Sequence, residues 1–475
     1  MEQRNLIFTL SGIRGHVEKD LKFDIVKKIA IAFGLFIDGG DKKVVIGRDT
    51  RPSSILIEQG IIEGLIISGF EIINLGVCPT PVIIHLKNKL NIPAGIIITG
   101  SHNPQEWNGL KLLSKETFLG TDDLEIISIY LENIDLNSYE AIQLSSEQNV
   151  RNLNPIIDYI QDLFKHIDLL EIKGKNKLRV VVDSGAGAGK NVTPKVLTEL
   201  GCEVKLINNK LLANKDFPRE IEPIKENLRD LIMEVWQGKY DIGFAHDSDA
   251  DRLAIIGENG ECYPEDIGLA IITDYYLKNQ DIKNKEVFFV TNLASSLRFD
   301  AIAEKYNAKV LRTPIGERFL TEKMNELISD SSQNRLVFGG EGSCGGFMFP
   351  YFNNTRDGIF AATKIIEIMV KTGKRISQLV SELPKYYSHR IRISIKDIDI
   401  ELLIKKLKSE LQKEGEEVDQ IQNDLKFGHG KDWFVLIHPS NTERLIRVIS
   451  EAKRESLARV YCEATAELIR LIISY

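Results

Sequence analysis

The sequence predicts an α/β protein with three similar α/β domains, whose sheets are mixed but mostly parallel, followed by a smaller C-terminal α+β domain. Short apolar strands alternate with amphipathic helices in three successive stretches, which is typical of parallel sheets with helical crossovers. The chain has 475 residues, which suits about three domains at ~150 residues each. The predicted domains are residues 1–150, 151–255, 256–372 and 373–475.

The predicted strands and helices alternate in the same way in each α/β stretch. In the first stretch, strands are predicted at 43–46, 71–75 and 95–99, and helices at 53–68 and 80–90. In the second, a helix at 155–169 precedes strands at 178–183, 203–207 and 240–245 and helices at 193–200 and 225–235. In the third, strands are predicted at 286–290, 309–312 and 335–338, and helices at 267–277, 295–306 and 316–327. The C-terminal part has a strand at 390–394, a helix at 400–413, strands near 433–437 and 444–449, and a final helix.

Charge and composition exclude several classes of function. Lys and Arg number 61 and Asp and Glu 68, so the formal net charge is −7. A mildly acidic chain without a basic block is not expected to have nucleic acid as its main partner. With 43% hydrophobic and 27% charged residues, the chain is expected to fold rather than to stay disordered.

The cysteines and the apolar segments predict a cytoplasmic protein. The five cysteines are far apart and form no CxxC pair, so neither a zinc knuckle nor a redox motif is expected. Scattered thiols of this kind fit a reducing compartment. The apolar segment at residues 6–8 is too short for a signal peptide, and no stretch approaches the ~20 apolar residues of a membrane span.

Three carboxylates at alternate positions form a candidate metal site. Asp247, Asp249 and Asp251 follow a predicted strand, and left unpaired they would repel one another. A hard divalent cation is therefore expected between them, and the small number of ligands favours magnesium with a phosphate substrate. An EF-hand is excluded, because Arg252 stands where that loop requires glycine and a strand follows directly. A solvated acidic turn is the alternative.

A serine follows the Ile-rich strand of the first domain, in the segment TGSHNP at residues 99–104. Open α/β sheets bind ligands at the carboxyl ends of their strands, so Ser101 is a candidate active-site hydroxyl. Ser, Asn and Pro also favour turns, and an ordinary turn is the alternative. A nucleophile elbow is excluded, because no G-x-S-x-G surrounds Ser101.

Two glycine-rich segments and one polar loop are further candidates. SGAGAGK at 184–190 matches neither G-x-G-x-x-G nor the Walker pattern, so a tight strand-to-helix turn is expected there. GGEGSCGG at 339–346 contains Glu341, whose carboxylate can accept hydrogen bonds from sugar hydroxyls. HPSNTER at 438–444, with Arg447 beyond it, offers hydroxyl, amide and guanidinium groups to a phosphate. A polar hairpin is the alternative for this last segment.

These loops, in this order, resemble the α-D-phosphohexomutase family: phosphoglucomutase, phosphomannomutase and phosphoglucosamine mutase. SGIRG at 11–15 is similar to the N-terminal signature of the family, and GRDTR at 47–51 to the loop of its second strand. NGLK at 108–111 completes the phosphoserine motif. The acidic loop resembles the metal loop, the Glu341 loop the sugar-binding loop, and 439–442 the phosphate-binding loop, so the likeness spans nearly the whole chain.

The resemblance implies four domains around a central cleft and an enzyme that interconverts hexose 1-phosphate and hexose 6-phosphate. It implies a phosphorylated serine and a bound hexose 1,6-bisphosphate, which also acts as activator. The implied ligands of Mg²⁺ are Ser101, Asp247, Asp249 and Asp251. The implied catalytic residues are Ser101, His102, Lys111 and Arg14, with Lys111 as general acid/base, and Arg252 supports the phosphoserine. The implied substrate-binding residues are Glu341, Ser343, Arg318, His438, Ser440, Asn441, Thr442 and Arg447.

Four positions depart from the usual family pattern. Gly100 stands where Ala is usual, which is expected to be harmless. His438 replaces an Arg, and in the same loop Asn441 replaces Gly and Arg444 replaces Pro. Loss of the Arg fork at His438 predicts weaker or pH-dependent phosphate binding, unless Arg444 and Arg447 compensate.

The sequence leaves the sugar open among glucose, mannose and glucosamine. We expect an enzyme of the phosphomannomutase/phosphoglucomutase type, with phosphoglucosamine mutase as the alternative. A sugar-phosphate-binding homologue without catalysis is a second class of hypothesis, and a nucleotide-binding α/β protein is a third. The expected partner is a small-molecule sugar phosphate, with neither nucleic acid nor membrane, and the expected assembly is a monomer or homodimer.

Overall fold

The computed structural model describes residues 6–10, 12–37, 39–139, 149–175, 177–279, 285–329, 334–342, 345–395, 398–440 and 444–474. Three residues predicted to bind substrate, Ser343, Asn441 and Thr442, lie outside these ranges. The chain divides into two compact units: unit one is residues 1–272 with 344–380, and unit two is residues 273–343 with 381–475. Within the described ranges, no helix is both long and apolar enough to cross a membrane.

The first sheet has seven strands in the order β1-β2-β6-β5-β3-β4-β7. Strands β5, β3, β4 and β7 are parallel, whereas β6, β2 and β1 continue the sheet with antiparallel pairings. The elements are β1 (Ile7–Thr9), β2 (Gly12–His16), α1 (Phe23–Phe36), β3 (Lys43–Arg48), α2 (Ser54–Ile67), β4 (Glu71–Val77), α3 (Thr80–Lys89), β5 (Ala94–Ile98), β6 (Trp107–Leu113), α4 (Thr121–Asn133) and β7 (Val150–Asn152). The predicted alternation over residues 43–99 is confirmed.

Helices α1 and α2 pack closely on one face of this sheet. A Cβ atom at Gly64 would lie 2.5 Å from the carbonyl oxygen of Lys27, so the absence of a side chain there allows the two helix backbones to approach. Ile29 and Phe33 of α1 are fully buried in the core that α1 shares with the sheet. This core fixes β3 and β5, whose carboxyl ends lead into the candidate site.

The second sheet has four strands in the order β11-β10-β8-β9, parallel except for β11. The elements are α5 (Ile156–Phe164), α6 (Leu169–Lys175), β8 (Arg179–Asp183), α7 (Thr193–Glu199), β9 (Glu203–Ile207), α8 (Arg229–Gln237), β10 (Ile242–Ala245) and β11 (Ala254–Gly257). The helix predicted over 155–169 is confirmed from Ile156 but ends earlier than expected, at Phe164. The Asp168 side chain accepts a hydrogen bond from the Glu171 N–H and so begins a separate helix, α6.

The third group of strands follows α9. Strands β12, β13 and β14 are parallel and pair in the order β13-β12-β14, and β15 and β16 form an antiparallel pair. The elements are α9 (Asp266–Asn279), β12 (Glu286–Asn292), α10 (Arg298–Lys305), β13 (Lys309–Thr313), α11 (Glu317–Ser329), β14 (Arg335–Glu341), β15 (Gly346–Phe349), β16 (Asn353–Asp357), α12 (Gly358–Thr372) and α13 (Ile376–Ser381).

The C-terminal part is an antiparallel sheet of five strands in the order β17-β21-β20-β19-β18. The elements are β17 (Tyr387–Ser394), α14 (Ile400–Lys413), β18 (Val418–Ile421), β19 (Asp424–His429), β20 (Trp433–Pro439), β21 (Leu445–Ala452) and α15 (Glu455–Ser474). Helices α14 and α15 contribute Leu407 and Ile469 to its core. The predicted α+β character is confirmed, and the β18–β19 hairpin was not predicted.

Candidate active site

The loops that follow β3, β5 and β10 meet in unit one. They are residues 49–51, the serine loop at 99–104 and the acidic loop at 247–252. All three begin at the carboxyl end of a parallel strand, which is where open α/β sheets bind ligands. The structure therefore brings together segments that are about 50 to 200 residues apart in the chain.

Ser101 lies within this group of loops and is almost fully buried. Its Oγ donates a hydrogen bond to Oδ2 of Asp247 at 2.8 Å, and Nδ1 of His102 lies 3.4 Å from the same Oγ. Its φ of 49° lies in the left-handed region. Residues other than glycine rarely adopt this conformation, and those that do are often found at functional sites. The Ser101 N–H donates to Oγ1 of Thr99 at 2.8 Å, which holds this turn.

Arg51 supports the serine loop from below and is fully buried. All five of its guanidinium N–H groups have an acceptor, one of which is Oδ2 of Asp49 at 3.1 Å. The other four acceptors are the carbonyl oxygens of Ser101, Asn103, Pro104 and Trp107. A Cβ at Gly100 would lie 2.6 Å from this guanidinium. The buried Arg51 side chain therefore explains why this chain has glycine at a position where the family usually has alanine.

Asp49 joins the serine loop to the acidic loop. Its Oδ2 accepts from Oγ1 of Thr99 at 2.8 Å and from Oγ of Ser248 at 2.9 Å. Ser248 Oγ is also 2.7 Å from the Ser101 carbonyl oxygen. Asp49 and Arg51 belong to the GRDTR motif at 47–51, but their roles and that of Ser248 were not predicted from the sequence.

Asp247, Asp249 and Asp251 are fully buried together, and a carboxylate oxygen of each lies within 4.8 Å of the other two. The second oxygens of Asp249 and Asp251, both Oδ1, are buried and have no hydrogen-bond partner among the described residues. Buried carboxylate oxygens without a donor are costly. Three carboxylates that offer oxygen lone pairs are suitable ligands for a small, hard divalent cation such as Mg²⁺.

Lysine and arginine side chains contact the triad directly. Lys111 Nζ donates to Oδ2 of Asp249 at 2.7 Å and of Asp251 at 2.9 Å, and Arg356 Nη2 donates to Asp251 at 2.7 Å. Burial alone would raise the pKa of Asp251, but Arg356 and Lys111 hold it well below its usual range. Burial and the two neighbouring carboxylates instead raise the pKa of Asp247.

Arg14, on β2, contacts the serine loop. Its Nη1 donates to the Gly100 carbonyl oxygen at 2.9 Å and to Oδ1 of Asn103. Burial lowers the pKa of Arg14 to about 10, so the guanidinium stays charged near neutrality. Burial, with Arg252 and Arg14 as nearby cations, lowers the pKa of His102 and keeps its ring neutral.

Arg252 closes the acidic loop. Its Nε lies 3.8 Å from Oδ2 of Asp247, and its Nη1 lies 3.4 Å from Oε1 of Glu222. Arg356 was not predicted as a site residue, because it lies on β16 and belongs to no recognisable motif. Its proximity to Asp251 follows only from the tertiary structure.

Unit two holds the remaining predicted residues. Glu341 ends β14, is buried, and accepts from Nδ2 of Asn292 at 2.9 Å. Arg318 on α11 pairs with Glu322 at 2.6 Å. Nδ1 of His438 lies 2.6 Å from Oδ1 of Asp424. On the neighbouring strand Arg447 is opposite His438, and Ser440 N–H donates to the Leu445 carbonyl oxygen.

The segment 184–190 is a tight turn into a short 3₁₀ helix at Ala188–Asn191, as predicted. Its N–H groups point to acceptors within the protein rather than to an open cradle. Gly185 N–H donates to Asp183, Ala186 N–H to Asn208, and Ala188 N–H to Ser248. This segment therefore offers no support for a nucleotide-binding function.

Three family models match the chain in succession, and they describe the α/β/α domains I, II and III of phosphoglucomutase/phosphomannomutase. They cover residues 5–137, 157–260 and 264–387. Enzymes of this class are phosphohexomutases, which are isomerases acting as intramolecular phosphotransferases. The chain belongs to the phosphoglucomutase/phosphomannomutase family.

Two relatives of similar length agree with this assignment, and a solved structure shares the fold. A phosphoglucomutase/phosphomannomutase of Thermococcus kodakarensis is 34% identical over 469 residues, covering 98% of each chain. A Pyrococcus horikoshii protein named "Probable phosphoglucosamine mutase" is 32% identical over 467 residues, again covering 98% of each. The crystal structure of a phosphoglucomutase/phosphomannomutase family protein from Burkholderia thailandensis superposes with a TM-score of 0.81 at 23% identity, covering 98% of this chain and 97% of that one.

Proposed function

We propose that this phosphohexomutase uses Ser101 as its phosphoryl carrier and interconverts hexose 1-phosphate and hexose 6-phosphate. The hydrogen bond between Ser101 Oγ and Asp247 at the edge of the aspartate triad is the observation that carries the proposal. A phosphoryl group on Oγ would lie between the acidic loop and the cations around it. It would pass to the free hydroxyl of the substrate, giving a bound hexose 1,6-bisphosphate whose other phosphate returns to Ser101.

Mg²⁺ is the proposed metal, and Ser101, Asp247, Asp249 and Asp251 would hold it. The donors are all oxygens, and the orphaned Oδ1 atoms of Asp249 and Asp251 leave room for a ligand that accepts electron pairs. When bound, Mg²⁺ withdraws negative charge from the transferring phosphoryl group.

The side chains around Ser101 have separate proposed roles. Arg14 is bound to the serine loop and Arg252 lies beside Asp247, so both supply positive charge to a phosphate on Oγ. The neutral His102 ring beside Oγ supports the serine loop without adding charge.

Lys111 is the proposed general acid/base. The seryl oxygen needs a proton as it leaves, and the substrate hydroxyl loses one as it attacks. Asp249 and Asp251 accept hydrogen bonds from Lys111 Nζ and stabilise its ammonium form. In each transfer Lys111 would give a proton to the departing oxygen and take up the proton that the attacking hydroxyl loses, so the lysine ends the transfer as the ammonium ion it was at the start.

Sugar and distal phosphate are assigned to unit two. Glu341 would accept hydrogen bonds from sugar hydroxyls, and its hydrogen bond from Asn292 orients the carboxylate. The phosphate would bind near His438, with Arg447 on the adjacent strand. The remaining proposed contacts are those of Arg318, Ser343, Ser440, Asn441 and Thr442.

The sugar is best tested by one coupled assay run on glucose, mannose and glucosamine 1-phosphates with Mg²⁺ and hexose 1,6-bisphosphate as activator. We expect the highest kcat/KM with glucose or mannose. A preference for glucosamine would support the alternative, phosphoglucosamine mutase, the activity named for the Pyrococcus horikoshii relative. Tight binding without conversion of any of the three would indicate a non-catalytic homologue. The four domain boundaries, the cytoplasmic location and the monomer or homodimer remain predictions.

A further inference from the structure

The segment 184–190, which we call the glycine seat, packs against the backbone of the acidic loop. Ala188 N–H donates to the Ser248 carbonyl oxygen at 2.8 Å. A Cβ at Gly187 would lie 2.8 Å from that same oxygen and 2.9 Å from the Asp247 carbonyl oxygen. Real Cβ atoms do not approach backbone this closely, so any side chain at Gly187 would push the loop away.

His246 ties the two ends of the acidic loop together next to this seat. Its Nδ1 lies 2.8 Å from the Arg252 carbonyl oxygen, and because a carbonyl only accepts, Nδ1 carries the hydrogen. Nε2 is then the acceptor for Oγ1 of Thr193, 2.9 Å away at the start of α7. The Thr193 hydroxyl thereby fixes the ring that closes the loop.

A third contact completes the support. Arg219 is held by Asp183, with its Nε 2.9 Å from Oδ1, and its Nη2 donates to the His246 carbonyl oxygen at 2.7 Å. The carbonyl oxygens of residues 246, 248 and 252 are thus bound by groups behind the loop. The carboxylates of residues 247, 249 and 251 face other groups, among them Ser101, Thr80, Lys111 and Arg356.

We propose that the glycine seat and Thr193 are positioning elements that hold the three aspartates in the arrangement required for Mg²⁺. The proposal rests on the proposed function only in taking the triad as the Mg²⁺ site. The orphaned Oδ1 atoms of Asp249 and Asp251 show that the loop is held in this shape although part of the triad has no donor. Such support from behind a site typically changes metal affinity by ~10- to 100-fold when it is lost.

The first experiment compares Gly187→Ala with Gly174→Ala by calorimetric titration of each full-length protein with MgCl₂. A Cβ at Gly174 meets nothing within 4 Å, so this variant is the matched control. We expect Gly187→Ala to weaken Mg²⁺ binding by about 10-fold or more and Gly174→Ala to bind like the wild type. Equal affinities in two folded variants would overturn the proposal, even if Gly187→Ala melts at a lower temperature.

A second pair keeps the proposal testable if Gly187→Ala does not fold. Thr193→Val preserves the shape of the side chain and removes the hydroxyl, whereas Thr193→Ser retains it. We expect weaker Mg²⁺ binding in Thr193→Val and wild-type affinity in Thr193→Ser. A loss in both, or in neither, would contradict a role that acts through the His246 hydrogen bond.

The wild type and Asp249→Asn separate this proposal from the proposed function. If the wild type binds Mg²⁺, Asp249→Asn does not, and the seat variants bind normally, the seat proposal fails and the function stands. If the wild type itself binds no Mg²⁺, both fail. Mutase activity then tells whether a weakened site acts on kcat, as expected for a misplaced metal, or on KM for the sugar phosphate.

Discussion

Ser101 and Asp247 are 146 residues apart in the chain, yet Oγ of Ser101 donates a hydrogen bond to Oδ2 of Asp247 at 2.8 Å. The contact joins loops from two different sheets. Arg51 and Asp49 hold the serine loop, and Ser248 joins it to the acidic loop. Groups fixed in advance lower the cost of reorganisation during the reaction, so this arrangement suits phosphoryl transfer.

Arg51→Met is expected to destabilise unit one. The change leaves the Asp49 carboxylate and four loop carbonyls without their buried donor, which typically costs about 3 kcal/mol or more. Urea denaturation followed by circular dichroism measures the loss. The control is Arg151→Met, at an exposed position of β7, where less than about 0.5 kcal/mol is expected. Equal losses would show that the five hydrogen bonds carry no special weight.

Ser248→Ala is expected to lower kcat by about 10-fold and to leave KM for the sugar phosphate nearly unchanged. The hydroxyl links Asp49 to the Ser101 carbonyl, and its loss lets the serine and acidic loops move relative to each other. Steady-state kinetics with saturating Mg²⁺ measure the effect. Ser114→Ala, whose hydroxyl donates to the Thr117 carbonyl oxygen within its own turn, is the control. A wild-type kcat in Ser248→Ala would contradict the coupling.

Lys111→Met is expected to reduce kcat by ~100-fold or more, because it removes the proposed acid/base. The same change frees the carboxylates of Asp249 and Asp251, so Mg²⁺ affinity should be retained or increased. Kinetics and MgCl₂ titration together distinguish this outcome from simple damage to the metal site. Lys115→Met, at an exposed position, serves as control. Loss of Mg²⁺ binding in Lys111→Met would argue against the assigned role.

Asp357 predicts a measurable pH dependence of stability. It is buried and accepts hydrogen bonds from the Tyr159 hydroxyl at 2.7 and 2.9 Å. Burial raises the pKa of Asp357 to about 6, above that of Asp in an unfolded chain. Folding therefore favours the protonated form, so its contribution to stability is fully present below the unfolded pKa and is lost as pH rises towards 6.

Asp357→Asn cannot ionise and should lack this dependence. The stability of the wild type relative to Asp357→Asn should fall by about 3 kcal/mol between pH 4 and 7. Urea denaturation of both proteins at several pH values in this range measures the difference, in which the titration of other groups cancels. Parallel profiles would show that the carboxyl group titrates normally.

The architecture was largely predictable because the buried strands of the sheets are short apolar segments that can be recognised in the sequence. Apolar runs such as residues 94–98 are buried on both faces of the first sheet, and glycine and polar residues mark their ends. The β18–β19 hairpin was not predictable, because the residues on its exposed face make the segment mostly polar. Its turn is formed by Gln422, with a φ of 54°, and not by glycine. The separation of α5 from α6 depends on Asp168, which caps the start of α6 through a single side-chain hydrogen bond.

The candidate site was predictable only where its residues form short motifs. Ser101 and the three aspartates are recognisable because each lies in a short polar motif that directly follows an apolar strand. Arg356, Ser248 and Thr193 do not, since their roles arise from contacts with residues that are far away in sequence. Arg51 lay in a recognised motif, but its burial and its four carbonyl acceptors could not be inferred from the order of residues.

Phosphorylation of Ser101 tests the proposed mechanism most directly. The wild type and Ser101→Ala, with Ser114→Ala as control, are incubated with glucose 1,6-bisphosphate and MgCl₂ and analysed by intact-protein and peptide mass spectrometry, alongside the mutase assay. We expect one phosphate on the peptide containing Ser101 in the wild type and in Ser114→Ala, and neither label nor turnover in Ser101→Ala. Turnover at the wild-type rate in Ser101→Ala, or a phosphate on another residue, would contradict it.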